Sequence, residues 1–195
     1  MKINSKHYPY NNVPQISDFR ELVKYCGREY ANKTAFRWLE KNVEKSKTYK
    51  EFAEDVEALG TYLISKGYNR THIAMIGETS YETILVYFAV INSGNVIVPI
   101  AKESTPEDLK YLYENSDSSV IVHTNAYSEE AKTVGCTTLI NTKNINELLQ
   151  EGRKLVSLGN YDYKNRKIDK DALAILLYTS GTTGFPKGVM ISHSG

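Results

Sequence analysis

Short apolar runs that alternate with capped, helix-periodic stretches predict an α/β fold: a doubly wound, mostly parallel sheet with helices on both faces. Two observations carry this. The runs "HIAMIG" (His72 to Gly77), "NVIVPI" (Asn95 to Ile100) and "SVIVHT" (Ser119 to Thr124) are apolar at successive positions, as in strands buried on both sides. The segments between them carry helix-start signals and helical spacing, so consecutive strands are joined by helical crossovers and must run parallel. Such sheets bind ligands beyond the carboxyl ends of their strands.

Asp18 to Tyr30 reads as a helix and "TAFRWL" (Thr34 to Leu39) as a short strand. Thr48 and Glu51 form a capping box. Phe52, Val56, Leu59 and Leu63 then recur at helical spacing, and Gly67 is the expected stop. After the strand at His72 to Gly77, "TSYE" (Thr79 to Glu82) reads as a second capping box. It opens a helix that is apolar almost all round, hence sandwiched. Thr83 to Ala101 carries no charge over 19 residues, but "NSGN" (Asn92 to Asn95) splits it and Pro99 follows. A spanning helix would not hold a turn at mid-bilayer, so a buried helix, a turn and a buried strand are expected. Thr105 is the next N-cap, with Pro106 at the first helical position. Tyr127 to Val134 reads as helix, Thr137 to Asn141 as strand and Ile145 to Leu158 as helix. The last two runs, Ala172 to Thr179 and Gly188 to Ser192, are both of strand type, so the loop between them joins strand to strand. The chain divides into an N-terminal segment (1–47), an α/β core (48–158) and a strand–loop–strand unit (172–195), together one partial domain.

Composition excludes several functions. With 24 basic and 23 acidic residues the net charge is +1, which gives no electrostatic reason for a nucleic-acid or anionic-membrane partner. "KSK" (Lys45 to Lys47) reads as solvated surface. Cys26 and Cys136 are too few and too far apart for a metal site or a disulfide framework, which suits free thiols in a reducing cytoplasm. "MKINSKHYPY" has no apolar core of a signal peptide. His72 and His123 flank strands without Cys or acidic partners at metal spacing and read as structural. His193, just past the last strand, reads as a strand-end or helix-start residue rather than a substrate contact. Trp38 and the 15 tyrosines form no recognisable stacking motif.

The chemistry concentrates in "YTSGTTGFPKG" (Tyr178 to Gly188). Glycines let backbone N–H groups converge on one point and form an anion-binding concavity. Thr179, Ser180, Thr182 and Thr183 add four hydroxyls, and Lys187 adds a mobile positive charge. This donor set suits a polyphosphate, since each hydrogen bond to a charged group contributes roughly 1.5–3 kcal/mol. A Walker loop is excluded, because Pro186 precedes Lys187 and Gly188 stands where the metal-binding hydroxyl belongs. Pro186 also biases Phe185 away from helical geometry, so no helix N-terminus should face the phosphates. A dinucleotide fingerprint is excluded too, as no G-x-G occurs. Taken alone, the residues leave a plain surface turn open.

"LLYTSGTTGFPKGVMISH" (Leu176 to His193) resembles the phosphate-binding signature of the adenylate-forming (AMP-binding) enzymes: acyl-CoA synthetases, adenylation domains of peptide synthetases, and luciferases. The resemblance extends upstream through "KTYKEF", "HIAMIG" and "SGNVIVPI" to about Asp18, and is strongest to the N-terminal portion of long-chain fatty acid–CoA ligases. "ETSYE" and "NRTH" depart from the pattern of those ligases, and neither touches the loop. The resemblance implies two-stage chemistry. A carboxylate attacks the α-phosphorus of ATP to give an acyl-adenylate and pyrophosphate, and the thiol of coenzyme A then displaces AMP. It assigns Thr179, Ser180, Gly181, Thr182, Thr183, Gly184 and Lys187 to the leaving pyrophosphate, with Mg2+ sharing the charge. The remaining motifs, including the catalytic lysine, belong downstream in that family. The chain is therefore expected to be the N-terminal fragment of a fatty acid–CoA ligase and inactive alone, with the acid, ATP, coenzyme A and the rest of the polypeptide as its partners. Adenylation of an amino acid, or a non-catalytic nucleotide-binding module, is the alternative.

Overall fold

The computed structural model describes residues 14–179 and 186–194. Its centre is a six-stranded sheet in the order β6-β5-β3-β4-β7-β8. The strands are β3 (His72–Ile76), β4 (Val96–Ile100), β5 (Val120–His123), β6 (Leu139–Asn141), β7 (Leu173–Thr179) and β8 (Lys187–Ser192). Neighbours run parallel except β8, which returns antiparallel along β7. A separate antiparallel hairpin joins β1 (Thr34–Glu40) to β2 (Val43–Thr48).

The continuous apolar runs are explained by two cores, one on each face. Ile73, Ile97, Val120 and Val122 point into the larger. That core is completed by α1 (Phe19–Glu29), α2 (Tyr49–Ser65), α3 (Tyr81–Asn92) and α6 (Ile145–Ser157). Ala74, Ile76, Ile100 and Ile121 point the other way, onto α4 (Pro106–Asn115) and α5 (Ser128–Thr133). Neighbouring positions on one strand thus serve opposite layers, which is the doubly wound arrangement.

The local signals act as expected in most places. Thr48 and Glu51 bond reciprocally at the start of α2. Its far end closes on Gly67 (φ +85°), with the Gly67 and Tyr68 N–H groups reaching the carbonyls of Ile64 and Leu63. Asp117 (φ +52°) takes the same left-handed role after α4, as an aspartate can. Thr105 caps α4 with Pro106 in its first turn. The second capping box differs by one position: Ser80, not Thr79, is the N-cap, and Thr83 rather than Glu82 is its reciprocal partner. A threonine hydroxyl can return the bond as the carboxylate does, and this register buries Tyr81. The uncharged stretch resolves into α3 and β4, joined by the turn at Ser93–Gly94. No helix among the described residues is long and apolar enough to cross a membrane.

At the start of α2, the Glu51 carboxylate accepts from the Thr48 N–H at 2.7 Å, which holds its pKa below the ordinary value. A depressed carboxylate stabilises the fold above its unfolded pKa and loses that contribution as pH falls through the folded pKa. Glu51→Gln is therefore expected to flatten the acid limb of a pH–stability curve below about pH 4.5. Parallel acid limbs in variant and parent would contradict it.

Strand β2 and helix α7 (Asp162–Asn165) were not anticipated. The outward half of β2, Val43 to Ser46, is exposed, so burial left no period-2 apolar pattern to read. A two-residue turn at Lys41–Asn42, both at positive φ, fixes the pairing.

The end of β2 is tied inward by a buried carboxylate. Asp55 is 1% exposed. It accepts from Lys47 Nζ at 2.9 Å, from the Tyr81 hydroxyl at 2.6 Å and from Arg153. The Tyr81 ring stacks on Trp38 at 5.0 Å between centroids, and burial together with the Asp55 bond pushes its hydroxyl pKa far up. The tyrosine thus serves only as a donor. One carboxylate joins β2, α2, α3 and α6. Asp55→Asn, which removes the charge but keeps the shape, is expected to cost about 2 kcal/mol in urea unfolding, as for a hydrogen bond to a charged group. An unchanged midpoint would show that the cluster contributes nothing net.

Candidate functional site

Strands β3, β4, β5, β6 and β7 are parallel, so their carboxyl ends share one edge of the sheet. That edge presents Gly77 and Glu78 after β3, Thr124 after β5 and Thr179 at the end of β7. The chain returns at Lys187, whose pairing with Thr179 closes the β7–β8 ladder, and the Thr179 hydroxyl donates to the Lys187 carbonyl at 3.5 Å. Both residues are exposed. Ser180, Gly181, Thr182, Thr183 and Gly184 lie outside the described residues. The strand–loop–strand connection holds, and Lys187 to Val189 lie in a strand where a Walker loop would start a helix.

Local chemistry anchors the mouth of this loop. The Tyr178 hydroxyl donates to Asn115 Oδ1 at 2.7 Å, fastening the end of β7 to the end of α4. At Gly188, directly across from Tyr178, a Cβ would stand 3.0 Å from Leu176 Cδ1, so glycine leaves the pair undistorted. The lysine therefore leaves a firm ladder at the edge where a phosphate chain would lie. Hydroxyls, glycine N–H groups and one ammonium make a donor set that fits phosphate oxygens. Among the described residues no three acidic, His or Cys side chains converge on a possible metal position, so magnesium would be held chiefly through the phosphates.

The same edge holds a cavity that sequence reasoning missed. It measures about 310 Å3 and lies between β3, β4 and α3. Met75, Ile84, Tyr87, Phe88, Pro99 and Ile100 give it an apolar lining, and Glu78 stands at its rim. The Glu78 carboxylate accepts from the Thr124 hydroxyl, and this bond holds its pKa below the ordinary value. The signal was present in the sequence as an apolar α3 adjoining an apolar β4. What was hidden is that the two separate at this end.

His72 and His123 resolve as structural groups. His72 Nδ1 lies 2.6 Å from the Ser116 carbonyl, and buried His123 lies 3.0 Å from that of Thr124. His193 follows β8 at the end opposite Lys187, away from the loop. Cys26 and Cys136 are free thiols.

Doubly wound topology defines the class: an α/β protein with a mostly parallel sheet covered by helices on both faces. The chain belongs to the AMP-binding enzyme family, whose profile matches residues 23–195. It is similar to the malonate–CoA ligase of Xenopus laevis, 32% identical over 160 residues, which is 75% of this chain and 26% of that protein. It is also similar to a polyketide synthase–nonribosomal peptide synthetase of Aspergillus flavipes, 31% identical over 175 residues, covering 89% of this chain and 4% of that protein. An uncharacterized acyl–CoA ligase of Bacillus subtilis is 28% identical over 184 residues, 92% of this chain and 34% of that protein. The chain thus spans about a third or less of the length of these relatives. Among solved structures, the N-terminal domain of FACL13 from Mycobacterium tuberculosis superposes with a TM-score of 0.77 at 19% identity, covering 91% of this chain and 45% of that one. A fatty acyl-adenylate ligase from L. pneumophila, solved with acyl adenylate and pyrophosphate, gives 0.73 at 21% identity, covering 92% and 31%. At these identities the superpositions establish the fold, which is the N-terminal portion of adenylate-forming enzymes.

Proposed function

We propose that the protein containing this chain activates a carboxylic acid with ATP as an acyl-adenylate and passes the acyl group to coenzyme A. The observation that carries the reading is the family match running unbroken through the β7–β8 hairpin. Thr179, Ser180, Gly181, Thr182, Thr183, Gly184 and Lys187 bind the β- and γ-phosphates. A carboxylate oxygen attacks the α-phosphorus and the bond to the bridging oxygen of pyrophosphate breaks. The loop's donors and the Lys187 ammonium stabilise the charge that develops on that leaving group and hold it in line. Magnesium would share the charge, bound through phosphate oxygens and residues outside the described part.

We assign an aliphatic acid as substrate, since Met75, Ile84, Phe88, Pro99 and Ile100 make most of the lining of the carboxyl-edge cavity, with Glu78, Thr79 and Thr83 as its polar part. Each buried methylene then adds roughly 0.8 kcal/mol, and specificity rises with chain length until the cavity ends. One observation favours a second reading. Glu78 at the rim is a carboxylate kept ionised, the counter-ion that the ammonium of an amino acid would need. Acid-dependent ATP–pyrophosphate exchange, run over fatty acids of increasing length and over amino acids, separates the two. Rising exchange with chain length, unaffected by Glu78→Gln, is the expected result. Exchange confined to amino acids and abolished by Glu78→Gln would replace the substrate while keeping the adenylation.

A further inference from the structure

The opposite edge of the sheet holds a cavity of about 350 Å3 where β3, β4 and β7 begin. Seven-residue β7 separates it from the loop by about 20 Å, at 3.3 Å per residue. The lining is strongly cationic. Arg70, Arg166 and Lys167 face it, opposed by Asp169 alone among carboxylates, and the Arg70–Asp169 pair is loose at 4.0 Å. Arg166 spends one guanidinium nitrogen on the carbonyls of Tyr68 and Ser93 and has no carboxylate partner among the described residues. Behind it lies Arg20, 7% exposed, whose guanidinium donates only to the carbonyls of Asn92 and Arg166 and lies 4.6 Å from the Tyr163 ring centroid. Arg20 makes no ion pair among the described residues, and the Asp18 carboxylate acts on it only from a distance, so the guanidinium adds positive charge behind the cavity.

A second observation is independent of these charges. His193 also lines the cavity, is 4% exposed, and its Nδ1 has no hydrogen-bond partner among the described residues. Its backbone N–H is bonded to the Ala172 carbonyl at 3.1 Å, so the residue is held in place while the ring nitrogen is left unmatched. A buried polar atom without a partner is destabilising, and a ligand oxygen would relieve it. Burial holds the imidazole below its ordinary pKa, with Asp18 and Asp169 acting upward and Arg20 downward, so the ring is neutral at pH 7 and can donate from Nδ1 as N–H.

We propose that this cavity is a second anion site, which takes a phosphate group through Arg70, Arg166, Lys167 and His193. Planar guanidinium and ammonium donors around one buried imidazole match the several acceptor oxygens and the double charge of phosphate. The group can be free inorganic phosphate or the end of a phosphate monoester. The site stands apart from the loop and does not depend on what the loop binds.

The test is calorimetric titration of inorganic phosphate, and separately of glycerol phosphate, a monoester that the proposed reaction does not use, into the intact protein carrying Lys187→Ala, which removes the loop's ammonium. Histidine-selective 15N spectra follow the same titrations. Saturable binding with movement of the His193 ring signals is expected. Adding Arg70→Ala and Lys167→Ala should weaken it at least about tenfold, the equivalent of 1.4 kcal/mol. Both side chains are largely exposed, so circular dichroism should show an unchanged fold. Glycerol phosphate binding more tightly than phosphate assigns a monoester, and equal affinity assigns the free ion. Unmoved His193 signals with both probes, or the same affinity without Arg70 and Lys167, would overturn the site. Failure of the loop assignment shows separately, as exchange activity indifferent to Lys187→Ala.

Discussion

Lys187→Ala is expected to slow adenylate formation roughly tenfold to a thousandfold, the range for removing one charged transition-state contact. The residue is exposed at the first position of β8, where its side chain fills no core space. Its backbone pairs with Thr179, and an alanine backbone pairs equally well. The melting temperature should therefore move little, because exposed substitutions away from caps and cores stay within about 0.5 kcal/mol. The split between a large kinetic effect and a small thermal one is the informative part. ATP–pyrophosphate exchange at saturating and subsaturating ATP, alongside thermal unfolding, reads both. An unchanged rate under both conditions would remove Lys187 from the site, and a collapse of stability would make the rate uninterpretable.

The parallel sheet was legible because its strands are buried on both faces and therefore apolar without interruption, as in Ile73 to Ile76 and Val120 to Val122. Caps were legible where a side chain can satisfy only one geometry, as at Thr48, and ambiguous where Thr79 and Ser80 stand side by side and either hydroxyl could accept. The exposed half of β2 was invisible, since pairing rather than burial holds it. The site divides in the same way. Lys187 and the hydroxyls of the loop announce themselves by type and spacing. The carboxyl-edge cavity is made of ordinary apolar residues from β3, β4 and α3, whose separation at one end is a matter of packing angle. Nor could sequence show that Arg20, Arg166 and His193, as far as 173 residues apart, meet at one edge.

The packing of α6 on α2 carries the largest expected stability effect. At Gly152 a Cβ would stand 1.9 Å from the backbone carbonyl oxygen of Ala58 and 2.6 Å from its carbonyl carbon. Two helix backbones approach here as only glycine permits. Two opposing effects meet in Gly152→Ala. Alanine is favoured in a helix interior by about 1 kcal/mol over glycine. Against this, the overlap falls on a backbone atom inside α2, which no rotamer change can move, and relief requires α6 to shift. That shift would disturb Ile145 and Leu149, each 3% exposed, and the Arg153–Asp55 contact one residue along. Overpacking of a core costs about 1–3 kcal/mol and occasionally more. A backbone clash with a coupled buried carboxylate belongs at the upper end, so a net loss of about 3 kcal/mol is expected. Urea unfolding of the variant measures it. Ala58→Gly should give no rescue, because the obstacle is the Ala58 carbonyl rather than its methyl group. A midpoint equal to or above that of the parent would mean that helix propensity wins and that the two helices are not in close contact at Gly152.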